Sequence, residues 1–261
     1  MLDDVLIESN RRLPSLVCCK NYGSACDCLA SLQEDFWEQP DSYNCEKKMT
    51  TYVLRFGASY ASEIYYYLDE SNFRAAIDVS RPLNVCSLGC GFAPDYFAIK
   101  KYLADNTVDI QINYLGLDKS TCWDFARPRT PECSFVTADL ALPFSLKDAD
   151  LVVINKVFST LHRNKYGAIF LDNLQSAVVG SLRPGAILVF IDVNHIDYGR
   201  DVFHRSVSGY MNVLNQYYFD GYTGNRWTHL RQRNSVFGLP RDLLVEPHQT
   251  TRKTVVFDYR K

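Results

Sequence analysis

The residues best suited to chemistry stand where apolar runs end. In Leu83–Leu103, LNVCSLGCGFAPDYFAIKKYL, an apolar run breaks at Gly89-Cys90-Gly91 and again at Pro94-Asp95 before a helical pattern begins. Glycines in such a turn let the backbone approach a ligand, and free N–H groups at the following helix start favour a carboxylate. A dinucleotide site requires G-x-G-x-x-G; its third glycine position holds Pro94, so that fingerprint fails. A phosphate loop ending in Gly-Lys-Ser/Thr is also missing. Asp192, Asn194 and His195 end another apolar run, where α/β sheets place ligands.

Two further clusters invite chemistry. Cys18, Cys19, Cys26 and Cys28, with Cys45 beyond, suggest zinc. Structural zinc takes paired C-x₂₋₄-C knuckles, which C-C and C-x-C pairs match poorly, so no metal is expected and buried thiols explain these residues better. Between Gly209 and Gly238, Tyr210, Tyr217, Tyr218, Tyr222 and Trp227 lie among Arg226, His229, Arg231 and Arg233. That mixture suits stacking on RNA bases, a lid over a flat small molecule, or a protein contact.

The elements that position these residues follow from periodicity. From about residue 83, strand-like and helix-like runs alternate, which predicts an α/β fold with a mostly parallel sheet. LNVCSLG, IQINYLGLD, CSFVTADL, ADLVVINKVF, AILVFIDVN and KTVVFDYR read as strands; PDYFAIKKYLAD and YGAIFLDNLQSAVVGSL read as helices. Residues 1–80 read as a helical N-terminal extension, with Tyr52, Phe56, Tyr60, Ile64 and Tyr67 on one stripe. Residues 81–261 form the second unit, with an insertion at about 196–240. Hydrophobic residues at 47% with 22% charged exclude wholesale disorder, and the net charge of −2 supplies no global pull toward nucleic acid or anionic membranes. No apolar run reaches the roughly 20 residues that span a bilayer. The opening MLDDVLIESNRR is acidic before it is basic, the reverse of a secretory signal, and nine cysteines show no disulfide spacing. A cytoplasmic protein with reduced thiols is expected.

The order of motifs resembles the class I S-adenosylmethionine-dependent methyltransferases. Ser87-Leu88-Gly89-Cys90-Gly91-Phe92-Ala93 is similar to their first motif, with serine at the usually acidic leading position and alanine at the last glycine. Asp118, ending LGLD, matches the acidic residue that binds the ribose hydroxyls, with Lys119 beside it. Ala138 and Asp139 in TADL match the adenine segment, and Asn155-Lys156 follow the fourth strand. Leu182-Arg183-Pro184-Gly185-Ala186 is similar to the turn before the fifth strand. The resemblance covers roughly residues 81–195 plus the final strand. It implies a Rossmann-like class I methyltransferase fold with a helical N-terminal cap, and S-adenosylmethionine as cofactor. Cofactor contacts would then fall to Ser87, Gly89, Cys90, Gly91, Asp118, Lys119, Ala138, Asp139 and Asn155. Arg55 or Tyr60 of the cap would reach the methionine carboxylate. The stretch Arg55–Ala61 is also similar to a helix of methyltransferase-like proteins of the mitochondrial small ribosomal subunit. Their C-terminal cysteine cluster is missing here, since the last cysteine is Cys133.

Methyl transfer from a sulfonium is an in-line displacement in which orientation can supply most of the catalysis. NKVFSTLH replaces the Asn/Asp-Pro-Pro-Tyr/Phe pattern of exocyclic-amine methylation in nucleic acids, and no Pro-Cys serves C5 methylation. Catalytic candidates are His195, Asn155, Lys156 and Asp192, with His195 the first choice of base; His162 reads better as structural, and Lys156 equally well as a solvated helix start. The acceptor stays open among RNA, small molecule and protein. A non-catalytic protein that binds S-adenosylmethionine as a sensor or partner is the alternative, while Pro94 argues against a dehydrogenase.

Overall fold

Short apolar runs bounded by glycine, proline and aspartate become the strands of an eight-stranded sheet. The computed structural model describes residues 1–17, 28–30, 32, 45–220 and 227–261. Its strands are Leu83–Leu88 (β1), Ile112–Asp118 (β2), Cys133–Thr137 (β3), Leu151–Asn155 (β4), Ile187–Val193 (β5), Asn212–Phe219 (β6), Thr228–Leu230 (β7) and Thr254–Arg260 (β8). Their spatial order is β3-β2-β1-β4-β5-β8-β6-β7. The first five pair in parallel, and β8 runs antiparallel between β5 and β6. This is the α/β, Rossmann-like architecture expected from the sequence, mostly parallel and flanked by helices.

Among the described residues the helices longer than one turn are Leu2–Arg12 (α1), Glu46–Glu70 (α2), Pro94–Asp105 (α3), Phe158–Arg163 (α4), Gly167–Gly180 (α5) and Arg200–Val207 (α6). Strand side chains alternate between two cores. Val85, Val153 and Val189 face one side with α1, α2 and α3, while Cys86, Val152 and Leu188 face the other with α5 and α6. The central strands β4 and β5 are therefore buried and apolar at nearly every position, which is why those runs read as continuous rather than alternating. The apolar residues of α1 and α2 belong to the same core as β1 and α3.

After β1 the chain crosses one face through α3 to β2; after β4 it crosses the opposite face through α4 and α5 to β5. Strand order reverses between β1 and β4, and the carboxyl ends of such strands open a crevice. The segment predicted as an insertion contributes α6 and adds β6 and β7 to the sheet. The sequence reading placed no strands in that insertion, where β6 and β7 form. In β6 the apolar Val213 and Leu214 are exposed, so the strand shows no alternation that its sequence could announce.

Candidate functional site

Sheet register brings the motif residues to one level. Leu88 pairs with Leu117 on one side and Ile154 on the other. The next residues, Gly89, Asp118 and Asn155, therefore form one row across the mouth of the crevice. Asp118 in turn pairs with Thr137, which places Ala138 and Asp139 just beyond. A cavity of about 550 Å³ opens there. Its wall includes Gly89, Cys90, Gly91, Asp118, Lys119, Ala138, Asp139, Asn155, Lys156 and Tyr60, ten of the residues singled out in the sequence.

The glycine turn is built on left-handed backbone. Gly89 has φ +67° and Gly91 φ +53°. A Cβ on Gly89 would lie 2.4 Å from Val157 Cγ2, and one on Gly91 3.6 Å from the Trp123 indole that forms the cavity wall. Both positions thus need glycine for conformation, and Gly89 needs it for space as well. Ala93, where the resembling motif has its last glycine, takes φ +66° and accepts the strain of a left-handed alanine as it caps α3.

Asp118 is held by the turn it faces. Its Oδ2 accepts from Gly91 N at 2.8 Å and its Oδ1 from Ser120 N at 2.8 Å. Burial raises its pKa, opposed by these two N–H groups and by the Arg127 charge. Arg127 escaped the sequence reading, yet it is buried and staples the site: Nε donates to Gly91 O at 3.0 Å and Nη2 to Ser120 O at 3.1 Å. No local pattern marks it, because its value depends on two carbonyls far apart in the chain. Asp139 is differently placed. Lys119 Nζ lies 2.7 Å from its Oδ2, and Ala141 N donates to its Oδ1 at 3.0 Å. The Lys119 hydrogen bond above all holds its pKa below the usual value.

After β4 the chain offers unpaired acceptors and a buried charge. Asn155 Oδ1 and Asn164 Oδ1 are buried without a hydrogen-bond partner, and both residues line the cavity. Lys156, at φ +57°, sends Nζ to 2.9 Å from Glu63 Oε2 of α2 and donates to Thr254 Oγ1. Its ammonium lies 4.8 Å from the centroid of the Tyr60 ring, a cation–π contact. Glu63, fully buried, also accepts from Arg252 N at 2.8 Å. From α2, Tyr52 and Tyr60 wall the cavity; Tyr52 meets Trp123 edge-on at 5.4 Å. Burial, then the Glu63 charge, raises the Tyr60 pKa, so its hydroxyl stays neutral.

Four sequence candidates lie off the cavity wall. Ser87 is buried beneath it, bonded to the Asp95 carboxyl. Asp192 is 1% exposed and spends its oxygens on Ser159 N at 2.9 Å and Val193 N at 2.7 Å, serving the start of α4. His195, the first choice of base, caps a short turn by accepting from Asp197 N at 3.3 Å and points away to the surface. Arg55 does not line the cavity and donates to Glu246 O instead. His162 packs against Phe158 and beside Gly199, away from the cavity wall.

The aromatic and arginine segment is also absorbed elsewhere. Tyr217 is buried in β6, Tyr218 stacks on His229, and Trp227 packs on Phe257 with Arg200 above it. None of its described residues lines the cavity, while Tyr222 and Arg226 lie outside the described residues. Cys18, Cys19 and Cys26 are likewise outside them; Cys28 and Cys45 are buried together as free thiols. Among the described residues no His, Cys, Asp and Glu side chains group in a way that would hold a metal ion, and no helix is long and apolar enough to cross a membrane.

No family profile matches the chain, and no curated protein matches it in sequence. Among solved structures it is similar to the N-methyltransferase NodS from Bradyrhizobium japonicum in complex with S-adenosyl-L-homocysteine. That likeness has 12% identity and a TM-score of 0.49, and covers 90% of this chain and 99% of that chain. It is also similar to the magnesium protoporphyrin IX methyltransferase ChlM from Synechocystis with bound S-adenosylmethionine, at 12% identity, TM-score 0.45, with 92% and 100% covered. A TehB-like S-adenosylmethionine-dependent methyltransferase from Corynebacterium glutamicum gives 18% identity and a TM-score of 0.41, covering 75% of this chain and 96% of that chain. Likeness this remote carries no function by itself.

Proposed function

We propose that this protein is an S-adenosylmethionine-dependent methyltransferase. The observation that carries the reading is the Asp118 carboxylate at the carboxyl end of β2, fixed by Gly91 N and Ser120 N at the wall of the cavity beside the switch point. Each carboxylate oxygen keeps a lone pair after accepting one N–H, so Asp118 can accept both hydroxyls of a ribose. The residues present fit the rest of the cofactor. The left-handed Gly89–Gly91 turn leaves room beside the backbone for the amino-acid part, and the buried Asn155 Oδ1 has no protein donor and accepts an N–H from a ligand. Ala138, Asp139 and Asn164 offer the polar edge for adenine. Bound there, S-adenosylmethionine supplies an electrophilic methyl on a sulfonium cation.

The chain's own contribution is orientation and exclusion of water. Tyr52, Tyr60 and Trp123 present aromatic surface to the cavity, which favours a neighbouring cation and keeps the site dry. Among the described residues no histidine lines the cavity, Asp139 is paired with Lys119, and Lys156 with Glu63. The acceptor must therefore arrive already nucleophilic, or lose its proton late, with positioning as the main source of rate. A non-catalytic binder is favoured by one observation only, the engagement of Lys156 with Glu63 and Thr254. The free thiols fit a reducing, cytoplasmic setting.

Tritiated methyl transfer from S-adenosylmethionine into fractionated metabolites, RNA and protein tests the activity. Incorporation into one fraction, lost in Asp118→Ala, is the expected outcome. Cofactor binding with no incorporation into any fraction would leave the non-catalytic reading.

A further inference from the structure

On α2, beside the aromatic mouth of the cavity, two cations and two unpaired donors gather around one exposed carboxylate, Glu246. Arg252 is tied to α2 through its backbone N and Glu63 Oε1, and its Nη1 lies 3.0 Å from His248 Nε2. The His248 ring meets Phe56 edge-on at 4.9 Å, and Phe56 stacks on the cavity-lining Tyr60 at 5.3 Å. His248 N donates to Arg55 O at 2.8 Å, so Arg55 belongs to the same patch.

The donor count there is unbalanced. A guanidinium has no acceptor, so His248 Nε2 must accept from Arg252, which places the imidazole proton on Nδ1. That Nδ1 is buried with no partner, and so is Arg55 Nε. Two buried N–H donors therefore have no protein acceptor, a cost that an anion seated beside them would relieve. Burial first, then the Arg252 and Arg55 charges, lowers the His248 pKa to about 3, in keeping with a neutral ring in a positive field. The carboxylates facing the patch are Glu246, 85% exposed and 4.0 Å from Arg55 Nη1, and Glu63, already engaged with Lys156. Among the described residues no carboxylate pairs with the Arg252 side chain.

We infer that Arg55, Arg252 and His248 form an anion-binding subsite at the rim of the cavity, and that it holds a carboxylate or phosphate carried by the methyl acceptor. The assignment to the acceptor rests on the methyltransferase reading. The anion site itself rests only on the donors. Arg252 supplies an exposed cation, Arg55 a half-buried one, and His248 a neutral donor whose strength is independent of pH near neutrality. An acceptor of this class is a small phosphorylated or carboxylated molecule whose nucleophile reaches past Tyr60 into the cavity.

Inorganic phosphate titrated into the full chain, followed by phosphorus NMR with and without S-adenosylhomocysteine, tests the subsite. Saturable binding is expected, weakened about tenfold or more by Arg252→Ala and by Arg55→Ala, as befits a lost charge-assisted bond. Arg252→Lys, which keeps the cation, should retain most of the affinity, and circular dichroism melts of each variant confirm a folded chain. S-adenosylhomocysteine affinity in Arg252→Ala should stay within about twofold of the parent, because a rim contact to the acceptor touches no cofactor atom. Absent saturable phosphate binding, or binding equal in all variants, would overturn the subsite. A parallel loss of S-adenosylhomocysteine affinity would overturn its assignment to the acceptor, since the arginines would then be reading the cofactor's own carboxylate. Phosphate binding by a parent chain that ignores S-adenosylhomocysteine would uphold the anion site and sink the methyltransferase reading instead.

Discussion

Two aspartates end neighbouring regions of the same sheet, and only one of them faces the cavity. Asp118 closes β2 and Asp192 lies near the end of β5; both are mostly buried, both accept two backbone N–H groups, and burial raises the pKa of both. At β2 the donors come from the glycine turn and from Ser120, and the carboxylate keeps an open face on the cavity. At β5 the donors are Ser159 at the start of α4 and Val193, and the carboxylate does not reach the cavity wall. The difference lies in the crossovers. Beside β1 the helices leave to opposite faces and open a crevice, whereas beyond β4 the chain folds α4 back over the strand end. A carboxylate at a strand end is thus a ligand site on one side of the switch point and a helix cap on the other.

Breaking the closed region should have the largest effect. Glu63→Ala leaves Lys156 Nζ buried without its carboxylate, since the two side chains are 0% and 6% exposed. A loss of about 3–5 kcal/mol in urea unfolding is expected, and a loss below about 1 kcal/mol would mean that Lys156 escapes to solvent.

A third buried aspartate tests the ground beneath the open region. Asp95, fully buried under the glycine turn and bonded by Tyr114 and Ser87, has its pKa raised by burial from an ordinary 3.8 to about 6. The folded state then binds a proton more tightly than the unfolded one. Its contribution favours folding below about pH 4 and is lost as pH rises toward 6, by up to about 3 kcal/mol. Asp95→Asn should flatten unfolding free energy across that window; an unchanged profile would assign the pH dependence elsewhere.

The two aspartates themselves should separate cleanly. Asp118→Ala should cost about 1–3 kcal/mol of S-adenosylhomocysteine affinity by calorimetry, roughly 5- to 150-fold. Asp192→Ala should instead lower stability by about 0.5–2 kcal/mol, the range of a lost helix cap, and leave affinity within about twofold. Reversed outcomes would exchange their roles. Ala93→Gly relieves a left-handed alanine and should raise stability by about 1 kcal/mol; a loss would show that the Ala93 methyl packs better than its backbone suffers.

What was legible in the sequence follows the same division. The parallel strands, α2 and α3 announced themselves through apolar periodicity, and the Gly89, Asp118 and Asn155 row followed from motif order. His195 and Asp192 were reasonable at a strand end, but which strand ends stay open depends on crossover handedness and on what packs across them, and no local spacing reports either. Arg127, Trp123 and Glu63 were invisible for a related reason. Arg127 acts through the distant Gly91 carbonyl and Glu63 through Lys156, while Trp123 comes to the cavity wall only by the folding of the chain. Arg55 lies on the predicted helix, yet a helix's rotation about its axis decides which side chains line the cavity, and Arg55 falls just outside that arc.

Titration of S-adenosylhomocysteine into the full chain by isothermal calorimetry asks whether the Asp118 crevice holds the cofactor. One site per chain with saturable heat, weakened in Asp118→Ala, is expected. No heat with the parent chain, or equal affinity for parent and Asp118→Ala, would contradict it.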